Sequence, residues 1–294
     1  MASLAFVIAM INGINLGSIY ALIALGYTMV YGIAKMLNFA HGDVIMAGAL
    51  SVVVLVQQFH VHPALSIFIS VIFCVALGVL TEKIAYKPLR NSSSLSVLIT
   101  AIGVSYLMQN LAQILFGSSL RSFPKVFRWP SVILGSVEFK MDRVITIVVT
   151  FILMFFVLWF VYRTKIGLAM RAVAQDREAA MLMGVPMDRI ISITFAIGAA
   201  LAAVAGFFYG VAYGFVGPYS GSMPGIKAFT AAVFGGIGSI PGAILGGFLL
   251  GLAESMVKTF ISSELSDAIV FGLLIVVLLI KPTGLLGKEI RDKV

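Results

Sequence analysis

Apolar residues in this chain come in long continuous runs joined by short polar connections. A helix needs about 20 mostly apolar residues to cross roughly 30 Å of hydrocarbon. The pattern predicts spans over roughly Leu4 to Tyr31, Asn38 to Val56, Ala64 to Glu82, Leu95 to Phe116, Val144 to Tyr162 and Ile190 to Phe215. A seventh region, Lys227 to Val257, is interrupted by GGIGSIPG at Gly235 to Gly242, and a last run covers Asp267 to Ile280. Continuous runs without alternation argue against a membrane β-barrel. The expected fold is all-α: a polytopic integral membrane helical bundle of about eight spanning segments, in which residues 1–294 form a single transmembrane domain with one broken, re-entrant region.

Composition agrees: 61% of residues are hydrophobic and 11% charged, against about a quarter charged in ordinary globular chains. The net charge of +8 would suggest nucleic acid in a soluble protein. In a membrane protein Lys and Arg collect in cytoplasmic loops, so no nucleic-acid partner is expected; the partner is the lipid bilayer. Loop 57–63 has no Lys or Arg and reads as outside, whereas Lys83, Lys87 and Arg90 put loop 83–94 inside. Arg163, Lys165, Arg171, Arg177 and Arg189 put loop 163–189 inside, and Lys281, Lys288, Arg291 and Lys293 do the same for the C-terminus. The N-terminus is then outside, and it reads as a first span, having no basic stretch of a cleaved signal peptide. One loop dissents. Residues 117–143 should be outside yet hold Arg121, Lys125, Arg128, Lys140 and Arg143, and FPKVFRWP within it is expected to lie along the membrane surface.

This orientation forces the seventh region to enter and return on the same side. A short half-helix, a turn at GGIGSIPG and a return helix fit its length. Such a turn is tolerated at membrane depth when buried in protein or facing a wet cavity, and broken helices of this kind line transporter sites. Small residues four apart (Gly238, Gly242, Gly246; Gly198, Ala202, Gly206, Gly210) permit close helix packing. Cys74 is the single cysteine, so no internal disulfide forms and no zinc spacing exists. His60 and His62 read as solvated loop residues, and no metal or catalytic site is expected.

Two groups of polar residues need a reason to be where they are. The first is RAVAQDREAAMLMGVP at Arg171 to Pro186, read as one helix of about four turns that ends at Gly184 and Pro186. Arg171, Gln175, Glu178 and Leu182 share one side, and small apolar residues share the other. Pattern alone allows an ordinary interfacial helix or a docking surface for a soluble partner. The second group lies within spans, where a charge costs about 2.5–3.5 kcal/mol. Asn12, Asn15, Asn38, His41, Asp43, Gly236, Gly238 and Ser239 are candidates for a translocation path. Each also has a structural reading: Asn38 as N-cap of the second span with Asp43 in its first turn, and Asn12 and Asn15 as interhelix bonds. Gln109 and Asn110 read in the same way. Glu254 and Lys258, four apart, are expected to pair on one helix. Tyr213, Phe215, Tyr219 and Met223 are expected to form an apolar mouth.

Glu178-Ala179-Ala180-x-x-x-Gly184 matches the core of the EAA motif of ABC importer permeases, and it sits in a basic loop between two spans. NLGSIYALIALGYTMVYGIAKMLNFAHGD at Asn15 to Asp43 and AVFGGIGSIPGAILGGFLLGLAE at Ala232 to Glu254 resemble LIV-type branched-chain amino acid permeases. The three stretches lie in order across nearly the whole chain. The resemblance implies a permease subunit that is not an enzyme. Arg171, Gln175, Asp176, Glu178, Ala179, Ala180 and Gly184 would belong to the helix that couples it to ATPase. It further implies two ATP-binding subunits that carry the ATP-Mg, a periplasmic substrate-binding protein and a second, related permease. No cofactor is expected on this chain, which lacks Gly-x-x-x-x-Gly-Lys-Ser/Thr. Branched-chain amino acids are the expected substrate; close relatives of the family handle urea and short amides. A self-sufficient secondary transporter, with Asp43 or Glu254 as the ion-coupling carboxylate, is the competing reading.

Overall fold

The structure, a computed structural model, describes residues 2–90, 92–126, 132–134 and 137–287. Eleven helices account for almost all of it: α1 (Ala2–Ala34), α2 (His41–Gln57), α3 (Pro63–Thr81, continued by a π-turn over Glu82–Tyr86), α4 (Ser94–Phe116), α5 (Met141–Arg163), α6 (Lys165–Gln175), α7 (Arg177–Leu182), α8 (Met187–Tyr213), α9 (Ser222–Gly235), α10 (Ile240–Phe260) and α11 (Ser266–Ile280). Six of these are long and apolar enough to cross a membrane, while α2 and α11 are apolar but shorter. The chain is a polytopic helical membrane protein.

α1 is the central post. Ile19 to Leu25 are completely or almost completely buried, and α10, α8, α9 and α5 pack around the helix. Lipid supplies no hydrophobic drive between helices, so close backbone approach has to hold them together. Glycines provide it: a methyl on Gly251 would collide with the backbone of Gly17, and one on Gly247 would strike that of Ala21. In α8, Gly206 packs on the Ile45 carbonyl and Gly210 on the Phe123 ring. The outer helices α3, α4 and α5 leave large apolar side chains exposed, among them Phe68, Ile114 and Phe155.

The interrupted seventh region is an antiparallel pair. α9 and α10 meet where Gly235 contacts Gly242 and where Gly246 contacts the Ala231 carbonyl. The chain reverses over residues 236–239, where Gly236 (φ +108°) and Gly238 (φ +91°) hold conformations that side-chain-bearing residues rarely adopt. The amides of Leu285 and Leu286 donate to the Phe234 and Gly235 carbonyls, both at 2.9 Å. The segment after α11 thus satisfies the open C-terminal end of α9.

Three expectations need correction. The 171–186 segment is not one helix. Asp176 takes an extended conformation (φ −152°, ψ 113°) and its carboxylate accepts the Ala179 amide at 3.0 Å. An Asp that can cap the following turn competes with helix continuation through it, and α6 ends where α7 begins. The second span does not start with Asn38 as its cap. Asn38 Oδ1 instead accepts the Tyr86 hydroxyl at 2.8 Å, and Ala40 occupies the cap position with no side-chain bond. Loop 117–143 contains strands, absent from the expected pattern: β1 (Arg121–Ser122) pairs with β4 (Phe215–Val216), and β2 (Val132–Leu134) pairs with β3 (Val137–Phe139). Short pairings of this kind carry little periodicity to read. Phe123 of FPKVFRWP is buried against Phe207; residues 127–130, with Arg128, lie outside the described residues, as do Lys288, Arg291 and Lys293.

Candidate functional site

Two half-helices begin face to face inside the bundle. α2 starts at His41 and α9 at Ser222, and the backbones of Gly42, Gly221 and Gly225 touch; a methyl on Gly221 or Gly42 would strike the opposite carbonyl. Only glycine permits this approach, and it brings the positive ends of both helices to one place. Asp43, in the first turn of α2, is buried there. The Gln109 side-chain amide of α4 donates to Asp43 Oδ1 at 2.9 Å and lies 3.1 Å from Ser105 Oγ and 3.2 Å from Ser222 Oγ. Asp43 Oδ2 has no hydrogen-bond partner among the described residues. The carboxylate is thus held on one side and left unsatisfied on the other.

It borders a cleft of about 250 Å³ lined by Tyr27, Phe39, Gly42, Ile102, Ser105, Tyr106, Gln109, Ser222, Gly225 and Ile226. Tyr27, Phe39, Ile102, Tyr106 and Ile226 give it apolar surface beside the polar Asp43, Ser105, Gln109 and Ser222, the combination of apolar wall and placed polar groups that small-molecule sites use. His41 lies behind this wall. It is buried between α1 and α8, 4.6 Å from the Tyr27 ring, and its Nε2 has no partner. Gln109 and Ser222 are the members that sequence reasoning did not place beside Asp43; each is an isolated polar residue in an apolar run, and only the helix crossings bring them together.

The other candidate path residues do not gather here. Asn12 and Asn15 line a separate cleft of about 300 Å³ with Lys258 and Thr146. Gly236 is buried against Gly284 and Gly287, and Ser239 caps α10 by accepting the Gly242 amide at 3.3 Å. Among the described residues Asn110 bonds the Tyr106 carbonyl of its own helix, at 2.7 Å. Tyr213, Phe215, Tyr219 and Met223 are all exposed around the end of α8 and the start of α9.

A second buried carboxylate has a different setting. Glu254 Oε1 accepts Lys227 Nζ at 2.8 Å and Lys258 Nζ at 2.6 Å, and Oε2 accepts the Tyr20 hydroxyl at 2.8 Å. Lys227 also pairs with Asp267 at 2.6 Å. Two cations and two anions tie α1, α9, α10 and α11 together. The Glu254–Lys258 pair expected from their spacing is present, while Lys227 was legible only as the edge of an apolar run.

At the other end of the bundle α6 and α7 form an exposed hook. Thr164 accepts the Gly167 amide at 3.0 Å and turns the chain back under α5, a fold that any side chain at Gly167 would block by striking the Phe160 and Val161 carbonyls. Gln175, Asp176, Glu178, Ala179 and Gly184 are exposed, and Leu182 and Met183 stand 88% and 83% exposed at the tip. Ala180 is buried against the bundle. Arg171 does not join the rim but stacks over the Tyr162 ring at 5.4 Å. Gly184 (φ +80°) ends the segment as expected. Arg177 was not singled out by its pattern, yet its guanidinium donates to the Ala34 carbonyl at the end of α1. Burial, and then Arg177 beside it, pull the Lys35 ammonium below its usual pKa. Ala34 and Lys35 lead directly into the loop before His41 and Asp43, so the hook touches the chain that carries the cleft carboxylate. Nearby, Arg90 bridges Glu82 and Asp188, and Ser192 Oγ donates to Glu82 at 2.7 Å, joining α3 to α8. Among the described residues no three His, Cys, Asp or Glu side chains group as metal ligands.

Comparison with known proteins bears on this arrangement. Residues 9–278 match the model of a family described as "Branched-chain amino acid transport system / permease component". The high-affinity branched-chain amino acid transport system permease protein LivH of Escherichia coli (strain K12) is 44% identical over 99% of this chain and 98% of its own length. The corresponding BraD protein of Pseudomonas aeruginosa is 42% identical over 97% of both chains. A solved structure, PsaBC from Streptococcus pneumoniae in complex with Fab, superposes with a TM-score of 0.50 over 92% of this chain and 91% of that one, at 16% identity, a likeness of fold.

Proposed function

This chain belongs to the branched-chain amino acid permease family, and from that premise we propose a working cycle for it as the membrane-spanning subunit of an ABC importer. The substrate is a branched-chain amino acid. Its ammonium group is held by the unpartnered oxygen of Asp43, its aliphatic side chain by Phe39, Ile102 and Ile226, and its carboxylate faces the positive ends of α2 and α9. The observation that carries this reading is the half-satisfied buried carboxylate at the wall of a mostly apolar cleft. An aliphatic lining suits a branched side chain better than it suits urea, which offers nothing apolar to bury.

The hook of α6 and α7 is the contact for the ATP-binding subunits. Asp176 and Glu178 set its register, small Ala179 permits close approach, and Leu182 and Met183 supply apolar area. Movement of the hook pulls on the Ala34 carbonyl through Arg177 and so on the loop that leads to Asp43. ATP-Mg is bound and hydrolysed by those subunits. In this reading the α6–α7 end is cytoplasmic in a bacterial inner membrane, the N-terminus and the 117–143 loop are periplasmic, a substrate-binding protein delivers cargo at that face, and a related permease completes the pair. Glu254 has donors on both oxygens, an argument against an ion-coupled transporter built on it.

Uptake by the assembled importer in proteoliposomes tests the proposal. Glu178→Arg combined with Gly184→Trp should abolish ATP-driven uptake while the chain still inserts in the membrane; full uptake by that variant would refute the docking role. Saturable uptake by this chain alone, without ATPase subunits, would refute the dependence on partners.

A further inference from the structure

The basic residues at the end opposite the hook have no part in this cycle, and they run against the charge bias that orients the rest of the chain. Lys140 precedes α5 and Arg143 lies in its first turn. Neither side chain has an ion pair or a hydrogen bond among the described residues. Both line two neighbouring clefts at once. One, of about 300 Å³, is polar and includes Asn12, Asp142 and Lys258. The other, of about 190 Å³, is apolar and runs between α1 and α5, bounded by Ile11, Ile14, Val144, Ile147 and Val148.

The charge balance is specific. Lys258 is already neutralised by Glu254. Among the described residues that line the clefts, Lys140 and Arg143 against Asp142 leave two cations and one anion, a single excess positive charge. One phosphodiester matches it; a zwitterionic headgroup, neutral overall, would leave it unbalanced. Arg143 is half-buried, where a guanidinium fork binds phosphate oxygens best. An inorganic anion would use the polar cleft and leave the apolar one vacant, whereas a diacyl phosphodiester uses both.

We propose that Lys140 and Arg143, with the two clefts they share, bind one anionic phospholipid, its phosphate in the polar cleft and an acyl chain laid along α1 and α5. The site accounts for cations on the side where the orientation rule expects few: they face headgroup phosphate, with their stems against apolar surface. The bound lipid would add to the packing of α5 on α1.

The test is native mass spectrometry of the full chain in detergent, titrated separately with phosphatidylglycerol, phosphatidylcholine and glycerol phosphate. Each cation contributes about fivefold to binding of an acidic lipid, so Lys140→Gln with Arg143→Gln should weaken phosphatidylglycerol about thirtyfold. Lys140→Arg with Arg143→Lys should retain it, and Val148→Trp, which fills the apolar cleft, should weaken it with the charges intact. Equal binding of phosphatidylcholine by the unaltered chain would overturn the proposal, as would unchanged phosphatidylglycerol binding by the Gln variant. Displacement of the lipid by equimolar glycerol phosphate would make the site one for free phosphate. Lipid retention by the Gln variant with loss of affinity for a soluble binding protein would make it a protein-docking face.

Discussion

Asp43 and Glu254 are both carboxylates buried in apolar helices, and their surroundings make them opposites. Glu254 is met on both oxygens, by Lys227, Lys258 and Tyr20. Asp43 is met on one oxygen by Gln109, and its other oxygen, buried in the wall of a cleft, has no hydrogen-bond partner among the described residues. A buried charge with every lone pair engaged is a fastening between helices. A buried charge with one oxygen unpartnered is expensive to maintain, and a cationic ligand is what relieves it. The contrast separates a fastening from a proposed substrate contact more sharply than burial or position along the chain does.

The comparison can be broken most severely at Glu254. Glu254→Gln leaves Lys227 buried with the partly exposed Asp267 as its remaining anion, and loss of one member of a buried pair costs up to about 3–5 kcal/mol. Thermal unfolding of the detergent-solubilised chain should show that loss, and Lys227→Met added to Glu254→Gln should recover most of it; a melting curve that does not move would mean the cluster is no fastening. Asp43→Asn should do the reverse. The amide still accepts from Gln109, so unfolding should shift by less than about 1 kcal/mol, while uptake falls ten- to a hundredfold, the worth of a hydrogen bond to a charged group at about 1.5–3 kcal/mol. Normal uptake with Asn at this position would remove Asp43 from the substrate site. A smaller effect sharpens the contrast. Lys258 is about a third exposed, and Lys258→Ala should cost under about 1 kcal/mol, because Lys227 remains to hold Glu254. A loss as large as that of Glu254→Gln would shift the weight of the cluster from Lys227 to Lys258.

How far such partners can be read in advance differs with distance along the chain. Glu254 and Lys258 were legible because four residues on a helix are one turn apart. Lys227 was not, since its meeting with Glu254 depends on how α9 folds back on α10. The capping chemistry of Asp176 was present in its residue type, but an Asp inside a run with helical periodicity can continue the helix or break it, and the periodicity favoured continuation. Arg177 resembled any basic loop residue until the end of α1 came within its reach.

What the sequence by itself determined is the class of molecule. Runs of apolar residues long enough to cross lipid, basic loops and a glycine-rich break in the seventh region all follow from local composition, because transfer into hydrocarbon and helix termination are decided within about 20 residues; the EAA segment between two spans was legible by its resemblance to a known motif. Only the tertiary structure decided that α2 and α9 start against one another, that Gln109 and Ser222 stand at Asp43, and that Asn12, Asn15 and the Gly236–Ser239 turn lie elsewhere. Those contacts depend on the crossing of helices far apart in the chain, and in lipid that crossing is set by where small residues let backbones touch; hydrophobic periodicity records that a side chain is buried and carries no information about which helix buries it.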